Sequence, residues 1–258
     1  MGLGDWIIAS ADAKEANERT GKLVKLGNGT TMYLDKNIFA NNPRMAKAED
    51  EDVVWVANYP GKRPYLAGND GRHLIFNKTF KATAGEIYLT SAEREWARKR
   101  IKGDYIVVEP NVKKTYIHTV NKSWPYFDEL LKTDLPWVQL GDVNVKAKTR
   151  KVDTASFREA LSVLAGAKLF VGTDGALHHA AAALGIPAVV IWTGFTSPRH
   201  LGYDSHINIH DGGEPCGTYY KVCEHCKKIA RSIPVEQVRE AVIREFESSR
   251  VARRLQAP

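Results

Sequence analysis

The residues best suited to do chemistry lie between positions 170 and 187. The stretch reads FVGTDGALHHAAAALGIP, so an apolar run ends at Gly172 and a run of alanines follows His178 and His179. This order predicts a buried strand, a tight turn and the start of a helix. Free backbone amides and the positive end of a helix dipole meet at such a turn. The stretch therefore predicts an anion site, for which a phosphate group is a suitable ligand.

Small residues leave room for an anion to approach the backbone at this turn. Gly172, Thr173 and Gly175 provide that room, and Ala176 contributes an amide at the start of the helix. Asp174 has a plainer alternative role as the cap of the helix. Adjacent helical positions point about 100° apart, so we expect one histidine to face the mouth of the loop and the other to face solvent or the sheet.

A β-sheet must position this turn, and residues 105 to 245 have the sequence pattern of strands and helices that would form one. Strand-like and helix-like runs alternate there. The strand-like runs are 105–108, 137–140, 168–171 and 188–192, and the helix-like runs are 157–165, 177–184 and 235–246. The alternation predicts an α/β fold with a parallel sheet covered on both faces. Ligands bind such sheets beyond the carboxyl ends of the strands.

Composition excludes several classes of protein. The chain has 258 residues, of which 43% are hydrophobic and 26% charged, a globular composition rather than a disordered one. The longest apolar stretch, 180–193, is interrupted by Gly185 and Pro187 and is shorter than the roughly 20 residues of a membrane span. No secretory signal is visible, and the three cysteines do not form a disulfide framework. We therefore expect a cytoplasmic protein.

The net charge of +7 is concentrated in two segments. Residues 94–122 hold eight Lys or Arg against three acidic residues, and residues 227–258 hold eight against four. A basic balance suits an anionic ligand such as a nucleotide diphosphate, a lipid phosphate or DNA. A solvated basic surface is the simpler interpretation of the same charges.

The stretch 170–187 resembles the nucleotide-binding motif of glycosyltransferase family 9, the ADP-heptose:lipopolysaccharide heptosyltransferases. The family pattern runs Gly-x-Asp-Ser/Thr-Gly-Pro-x-His-x-Ala-Ala-Ala-Leu-Gly-x-Pro, and Gly172, Asp174 and His179 fall on it together with the alanine run. Two positions depart from it. Gly175 stands where a hydroxyl residue is usual, and Ala176 stands where glycine is usual.

Further blocks resemble the same family and follow in its order. Residues 121–125 (NKSWP) resemble a Lys-x-Trp-Pro block, whose lysine contacts the donor diphosphate and would here be Lys122. Residues 194–198 (GFTSP) resemble a Gly-x-Thr-x-Pro loop that contains Thr196. The last block resembles a cysteine-bearing loop and a final helix of the family. It contains Cys216, Cys223, Cys226 and residues 233–238.

The N-terminal residues Gly2-Leu3-Gly4-Asp5 resemble the Gly-x-Gly-Asp turn of the family, followed by a helix over 6–19. The resemblance implies that Asp5 is the general base, although an aspartate there also suits a helix cap. The family has a strand before this turn, whereas this chain begins at the turn. Residues 58–64 (NYPGKRP) have no counterpart in the family.

The resemblance implies an α/β fold of GT-B type with two Rossmann-like lobes, each built on a parallel sheet. Residues 1–104 would form a reduced acceptor lobe and residues 105–258 the lobe that binds the donor. The implied reaction moves a sugar from a nucleotide diphosphate sugar, ADP-heptose in the family, to an acceptor hydroxyl with inversion and without a metal. The expected donor-binding residues are Lys122, Asp142, Thr173, Asp174, Gly175, Ala176, His179 and Thr196. Asp142, after the strand 137–140, would accept a hydrogen bond from a ribose hydroxyl.

Three questions stay open at this level. The acceptor is a saccharide or lipid-linked sugar, or alternatively a hydroxymethylated base in DNA, and a third alternative is an inactive paralogue that only binds a nucleotide. Cys216, Cys223 and Cys226, with His225 and His210 nearby, would hold a structural zinc ion or remain three unpaired thiols. Trp192 is a packing residue or flanks a nucleobase.

Overall fold

The computed structural model describes residues 2–110, 117–140 and 149–255. The first hundred residues hold three helices and four short strands. They are α1 (Leu3–Thr20), β1 (Leu23–Gly27), α2 (Lys36–Phe39), β2 (Val53–Ala57), β3 (Leu66–Asn69), β4 (Leu74–Phe76) and α3 (Ser91–Arg100). Strands β1 and β2 pair in parallel, and β3 and β4 form an antiparallel hairpin.

The remainder of the chain alternates strands with helices. Its strands are β5 (Ile106–Glu109), β6 (Trp137–Leu140), β7 (Arg150–Val152), β8 (Leu169–Thr173), β9 (Ala188–Ile191) and β10 (Ile207–Ile209). Its helices are a 3-10 helix (Ile117–Lys122), α4 (Phe127–Leu130), α5 (Phe157–Gly166), α6 (Ala176–Ala183), α7 (Pro198–Leu201), α8 (Glu224–Ser232) and α9 (Val235–Leu255).

Strands β5 to β10 form one six-stranded sheet in which every pairing is parallel, in the order β10-β9-β8-β5-β6-β7. The predicted α/β fold with parallel sheets is confirmed. The four strands expected from the sequence lie within one or two residues of their observed bounds. Strands β7 and β10 and the β3–β4 hairpin were not expected, because each is too short to carry a periodic pattern.

The sheet is buried on both faces because its side chains alternate between two cores. Val107, Phe170 and Val190 point to one face and pack with α1, α5 and α6. Ile106 and Val171 point to the other face, which α4 and α9 cover. Parallel sheets are normally covered in this way, which explains their continuous apolar runs.

Helix α1 is longer than the predicted helix over 6–19. It begins at Leu3, so Asp5 lies inside its first turn, and it ends at Gly21 in a left-handed conformation. Helix α1 packs against α6 and shares the apolar core of the main sheet, so its first turn lies beside the motif in 170–187. None of the helices in the described part of the chain has the length and apolar character that a bilayer crossing requires.

Candidate functional site

The site lies where the strand order of the sheet reverses. From β5 the chain proceeds outward to β6 and β7 on one side, and then to β8, β9 and β10 on the other. The carboxyl ends of β5 and β8 are neighbours, with Glu109 opposite Gly172. The crevice beyond such a switch point is the usual ligand site of doubly wound sheets. Asp174 follows β8 directly into this crevice.

Asp174 is the centre of a hydrogen-bonded cluster. Its Oδ2 atom accepts from Lys122 Nζ at 2.6 Å and from Thr196 Oγ1 at 2.7 Å. Its side chain is 4% exposed. Burial alone raises the pKa of such a carboxyl, but the Lys122 ammonium and the adjacent histidines outweigh burial and hold the pKa of Asp174 well below its ordinary value. Asp174 is therefore a carboxylate, and its charge is balanced locally by Lys122.

Both histidines of the motif are buried, so the expectation that one of them could face solvent is wrong, whereas His178 packs against Trp192 at the end of β9. His178 and His179 are 0% and 4% exposed, and their ring centroids are 4.4 Å apart. Their ring nitrogens lie 3.7 and 3.6 Å from Asp174 Oδ1. Neighbouring elements enclose them, since Gly4 of α1 lies against the His179 ring and the Tyr203 hydroxyl hydrogen-bonds His179 Nδ1 at 2.8 Å.

Burial lowers the pKa of both histidines, and for His179 well below its ordinary value. They are neutral at physiological pH, so in each ring one nitrogen is able to donate a hydrogen bond and the other is able to accept one. The ligand atoms of Asp174, His178 and His179 lie within 4.8 Å of one another and form a group able to hold a metal ion. That the donor site needs no metal stays a prediction.

The N-terminus of α6 is open to a ligand. Gly175 occupies the cap position and supplies no side-chain acceptor, so Asp174 is not the cap and that alternative is wrong. Gly175 and Ala176 are half-buried at the mouth, whereas Thr173 behind them is buried. The first amides of α6 therefore keep the donor capacity that an anion uses.

Asp5 has three hydrogen-bond donors around it. Its Oδ2 atom accepts from the Gly2 amide at 2.8 Å and from Arg63 Nε at 3.1 Å, and its Oδ1 atom accepts from the Tyr65 hydroxyl at 2.6 Å. The cap role is thus observed, since Asp5 binds the amide that precedes its own helix. The side chain is 12% exposed. A carboxylate oxygen has room for a second donor, so Oδ1 can also receive an acceptor hydroxyl.

Arg63 and Tyr65 were not expected from the sequence. Burial, followed by the negative charge of Asp5, raises the pKa of Tyr65 well above its ordinary value, and the charge of Asp174 adds to this shift. Tyr65 is therefore a permanent donor within electrostatic reach of both carboxylates. Residues 58–64, which match none of the sequence blocks that resemble the family, end beside the expected base.

Asp142 lies outside the described residues, so its role stays a prediction. Trp192 is fully buried and donates from Nε1 to Asn208 Oδ1 at 3.0 Å, so it is a packing residue and does not flank a nucleobase.

The three cysteines form a cluster. Cys216 Sγ lies 3.2 Å from Cys226 Sγ and 3.7 Å from Cys223 Sγ. Hydrogen bonding from Cys226 lowers the pKa of Cys216 to about 5, and the same interaction raises the pKa of Cys226, so the two thiols share one proton unequally. Among the described residues this group holds three ligands, and neither His225 nor His210 belongs to it.

Residues 142–227 match the model of glycosyltransferase family 9 (heptosyltransferase). The chain carries a glycosyltransferase family 9 region. This region contains Asp174, His179, Thr196 and all three cysteines, whereas Asp5 and Lys122 lie outside it. It confirms the resemblance and the predicted class of protein, a glycosyltransferase. No curated protein matches the chain at a significant level.

Solved structures share the fold at low sequence identity. A glycosyltransferase family 9 protein from Veillonella parvula DSM 2008 superposes with a TM-score of 0.63 at 14% identity, over 96% of this chain and 95% of that one. The iron-containing dodecameric glycosyltransferase TibC from enterotoxigenic E. coli H10407 gives 0.65 at 14% identity, over 96% and 74%.

ADP-heptose lps heptosyltransferase II from E. coli gives a TM-score of 0.48 at 18% identity, and the chain covers 54% of its length. The chain thus spans about half the length of that heptosyltransferase. The GT-B-like fold of the family 9 glycosyltransferases is shared by this chain.

Proposed function

We propose that the chain transfers a sugar from a nucleotide diphosphate sugar to an acceptor hydroxyl, with inversion and without a metal ion in the donor site. The observation that carries the proposal is the cluster of Asp174, Lys122 and Thr196 beside the uncapped start of α6. Residues 105–258 would bind the donor, and residues 1–104 would supply the base and the acceptor side.

The donor diphosphate would lie between Lys122 and the amides of Gly175 and Ala176. An ammonium group has three donors, of which Asp174 uses one, so Lys122 can bind Asp174 and a phosphate oxygen together. Negative charge grows on the leaving diphosphate in the transition state, and these fixed donors stabilise it there. Asp174, His179 and Thr196 would orient the donor.

Asp5 would remove the proton of the acceptor hydroxyl as its oxygen attacks the anomeric carbon. Tyr65 and Arg63 would hold the carboxylate in one orientation through their two hydrogen bonds. A single carboxylate base facing the donor supports a one-step displacement, which inverts the anomeric centre.

The proposed donor sugar is chosen by analogy with a solved structure of the same fold. One of the solved structures with this fold is TibC, described as a heptosyltransferase in complex with ADP-D-beta-D-heptose, with a TM-score of 0.62 at 12% identity. By analogy we take an ADP-heptose-like sugar as the first donor to test.

For the cysteine cluster we propose a structural metal ion, zinc or iron, with Cys216, Cys223 and Cys226 as ligands. The convergence of three sulfur atoms supports this, as does the description of TibC as iron-containing. Elemental analysis of the purified protein should find about one equivalent of metal, which the Cys226→Ser variant should lose. An equal metal content in both proteins would contradict the proposal. Reduced thiols also suit a cytoplasmic location.

Turnover is the test of the proposed reaction. ADP-, UDP-, GDP- and CDP-sugars would be incubated with the wild type, with water taking the place of the acceptor hydroxyl, and release of the nucleoside diphosphate by donor hydrolysis followed by mass spectrometry. Asp5→Asn should lower the rate by about 100-fold or more while donor binding persists, because the amide cannot accept the proton. Asp35→Asn is the matched control, since the Asp35 side chain caps α2 and has no other hydrogen bond within the described part of the chain.

Two outcomes would contradict the proposal in different ways. Equal rates for Asp5→Asn and the wild type would remove Asp5 as the base. Donor binding without turnover by the wild type would favour the inactive paralogue.

A further inference from the structure

The residue next to Lys122 holds a distant loop in place. Asn121 is buried, and its Nδ2 atom donates to the carbonyl oxygens of Thr218 and Lys221 at 2.9 and 3.0 Å. Its Oδ1 atom accepts from the Cys223 amide at 2.8 Å. These three bonds join the end of the 3-10 helix that carries Lys122 to residues 216–223, called here the Cys loop, which carries Cys216 and Cys223 and leads into α8, where Cys226 lies.

The residues next to Thr196 are attached to the same loop. The carbonyl oxygens of Gly194 and Phe195 accept from the amides of Cys216 and Gly217 at 2.9 and 3.1 Å. The Phe195 ring packs on Cys223 and Cys226. The Lys122 ammonium lies 5.5 Å from the centre of that ring, within the range of a cation–π contact.

The two side chains that hold Asp174 Oδ2 therefore share one support. Lys122 and Thr196 come from segments about seventy residues apart, and each follows a residue bound to the Cys loop. A third bond joins the two segments directly, since Thr193 Oγ1 donates to the Asn121 carbonyl at 2.7 Å. The Cys loop thus supports both segments, in addition to the bond that joins them directly.

We propose that Asn121 is a positioning residue for the donor, which fixes Lys122 against the diphosphate by binding its segment to the Cys loop, and that the thiol cluster stabilises this support. The inference rests on the proposed function, because it presumes that Lys122 binds a diphosphate. A lysine has a long flexible side chain, and holding its backbone reduces the ordering that binding must impose.

A double-mutant cycle tests the proposal. ADP, UDP, GDP and CDP would be titrated calorimetrically into the wild type, and the tightest binder kept as the probe. Asn121→Ala should raise its Kd roughly tenfold, the size expected when hydrogen bonds of this kind are lost. In the Lys122→Ala background the same change should raise Kd less than about twofold, because Asn121 acts through Lys122.

The matched control is Asn17→Ala. The Asn17 side chain also makes two hydrogen bonds, to the Lys22 carbonyl and from Arg44, but it lies at the far end of α1. It should leave Kd unchanged. Cys226→Ser should reproduce the pattern of Asn121→Ala, with a raised Kd in the wild type and little effect in the Lys122→Ala background.

If Asn121→Ala does not fold, Phe195→Leu takes its place in the cycle. Leucine keeps an apolar contact with the cysteines but removes the ring beside Lys122, so Kd should rise about threefold, the size of an exposed cation–π contact. That rise should again vanish in the Lys122→Ala background.

Equal effects in both backgrounds would overturn the inference, since a general loss of structure does not depend on Lys122. An unchanged Kd in Asn121→Ala or Phe195→Leu would also overturn it and leave the proposed function intact. If no nucleotide binds the wild type, the proposed function fails, and the inference fails with it.

Discussion

The two carboxylates of the site are held by different chemistry. Asp174 is buried with Lys122 and Thr196 as its partners, so its charge is neutralised before any ligand arrives. Asp5 is held by Arg63 and the Tyr65 hydroxyl at the edge of the site. The first arrangement suits a fixed binding group, and the second suits a group that exchanges a proton with a substrate.

Tyr65→Phe tests the second arrangement. The change removes the hydroxyl that donates to Asp5 Oδ1 and leaves the ring packed beside Phe80. The kcat should fall about tenfold, because the base loses its fixed orientation, while the donor KM stays within about twofold.

Steady-state kinetics gives both kcat and the donor KM. Tyr219→Phe is the control, because that exposed hydroxyl contacts only Asn69 at 3.4 Å among the described residues. An unchanged kcat in Tyr65→Phe would show that Tyr65 does not position the base.

Helix α1 connects the expected base to the donor motif. Gly4 lies so close to His179 that a Cβ atom there would meet the ring at 3.1 Å. A small residue at this position thus lets the first turn of α1 approach the start of α6. The contact places Asp5 on the same side of the sheet as Asp174, although the two are distant in sequence.

Asp12 is a source of instability within the same helix. Burial, followed by repulsion from Glu15, raises its pKa from 3.8 to about 6. The folded state therefore binds the proton more tightly than the unfolded state, and stability is lost as pH rises from about 4 to about 6. Asp12→Asn should raise the free energy of unfolding at pH 7 by about 1 to 2 kcal/mol.

Denaturant unfolding at several pH values measures this effect. The increase in the free energy of unfolding caused by Asp12→Asn should vanish near pH 4, where the Asp12 carboxyl is protonated in the folded protein. A gain that is the same at pH 4 and pH 7 would contradict the assignment to the charge of Asp12.

On the scale of the whole molecule, the two halves of the chain share one apolar core. Residues of α1, β1 and α2 pack in the same cluster as β5, α5 and α6. A partly buried ion pair adds to this, since Arg158 of α5 binds Glu93 of α3 at 2.6 Å. Arg158 also donates to the carbonyl oxygens of Asn37 and Tyr88.

Glu93→Gln tests this connection. The hydrogen bond from Arg158 lowers the pKa of Glu93 from 4.5 to about 2, although burial opposes the shift. A depressed pKa in the folded state contributes stability above about pH 4.5, and that contribution is lost as pH falls from about 4.5 to 2. The variant should lose about 1 to 2 kcal/mol at pH 7, since the pair is partly solvated.

The loss should shrink steadily below pH 4.5 in denaturant titrations. Glu95→Gln is the control, because Glu95 pairs only with Arg98 and Lys99 on its own exposed helix face among the described residues. A loss in Glu93→Gln that is independent of pH would argue against an ionic origin.

The local part of the site was predictable from sequence, and the distant part was not. The strand, turn and helix of 170–187 follow from glycine, alanine and apolar spacing within one segment. Arg63 and Tyr65 reach Asp5 across about sixty residues, and no spacing rule reports such a contact. The burial of His178 and His179 was missed for the same reason, since α1 and Tyr203 enclose them from other parts of the chain.

The central claim is that Lys122 and the start of α6 bind a nucleotide diphosphate, and calorimetry tests it most directly. ADP, UDP, GDP and CDP would be titrated into the wild type, Lys122→Ala and Lys168→Ala. Lys168 is an apt control, because it is also a lysine paired with an aspartate, Asp104, but it lies just before β8. The account predicts binding of at least one nucleotide, weakened about 10- to 100-fold in Lys122→Ala and unchanged in Lys168→Ala. Equal binding by Lys122→Ala and the wild type would contradict it.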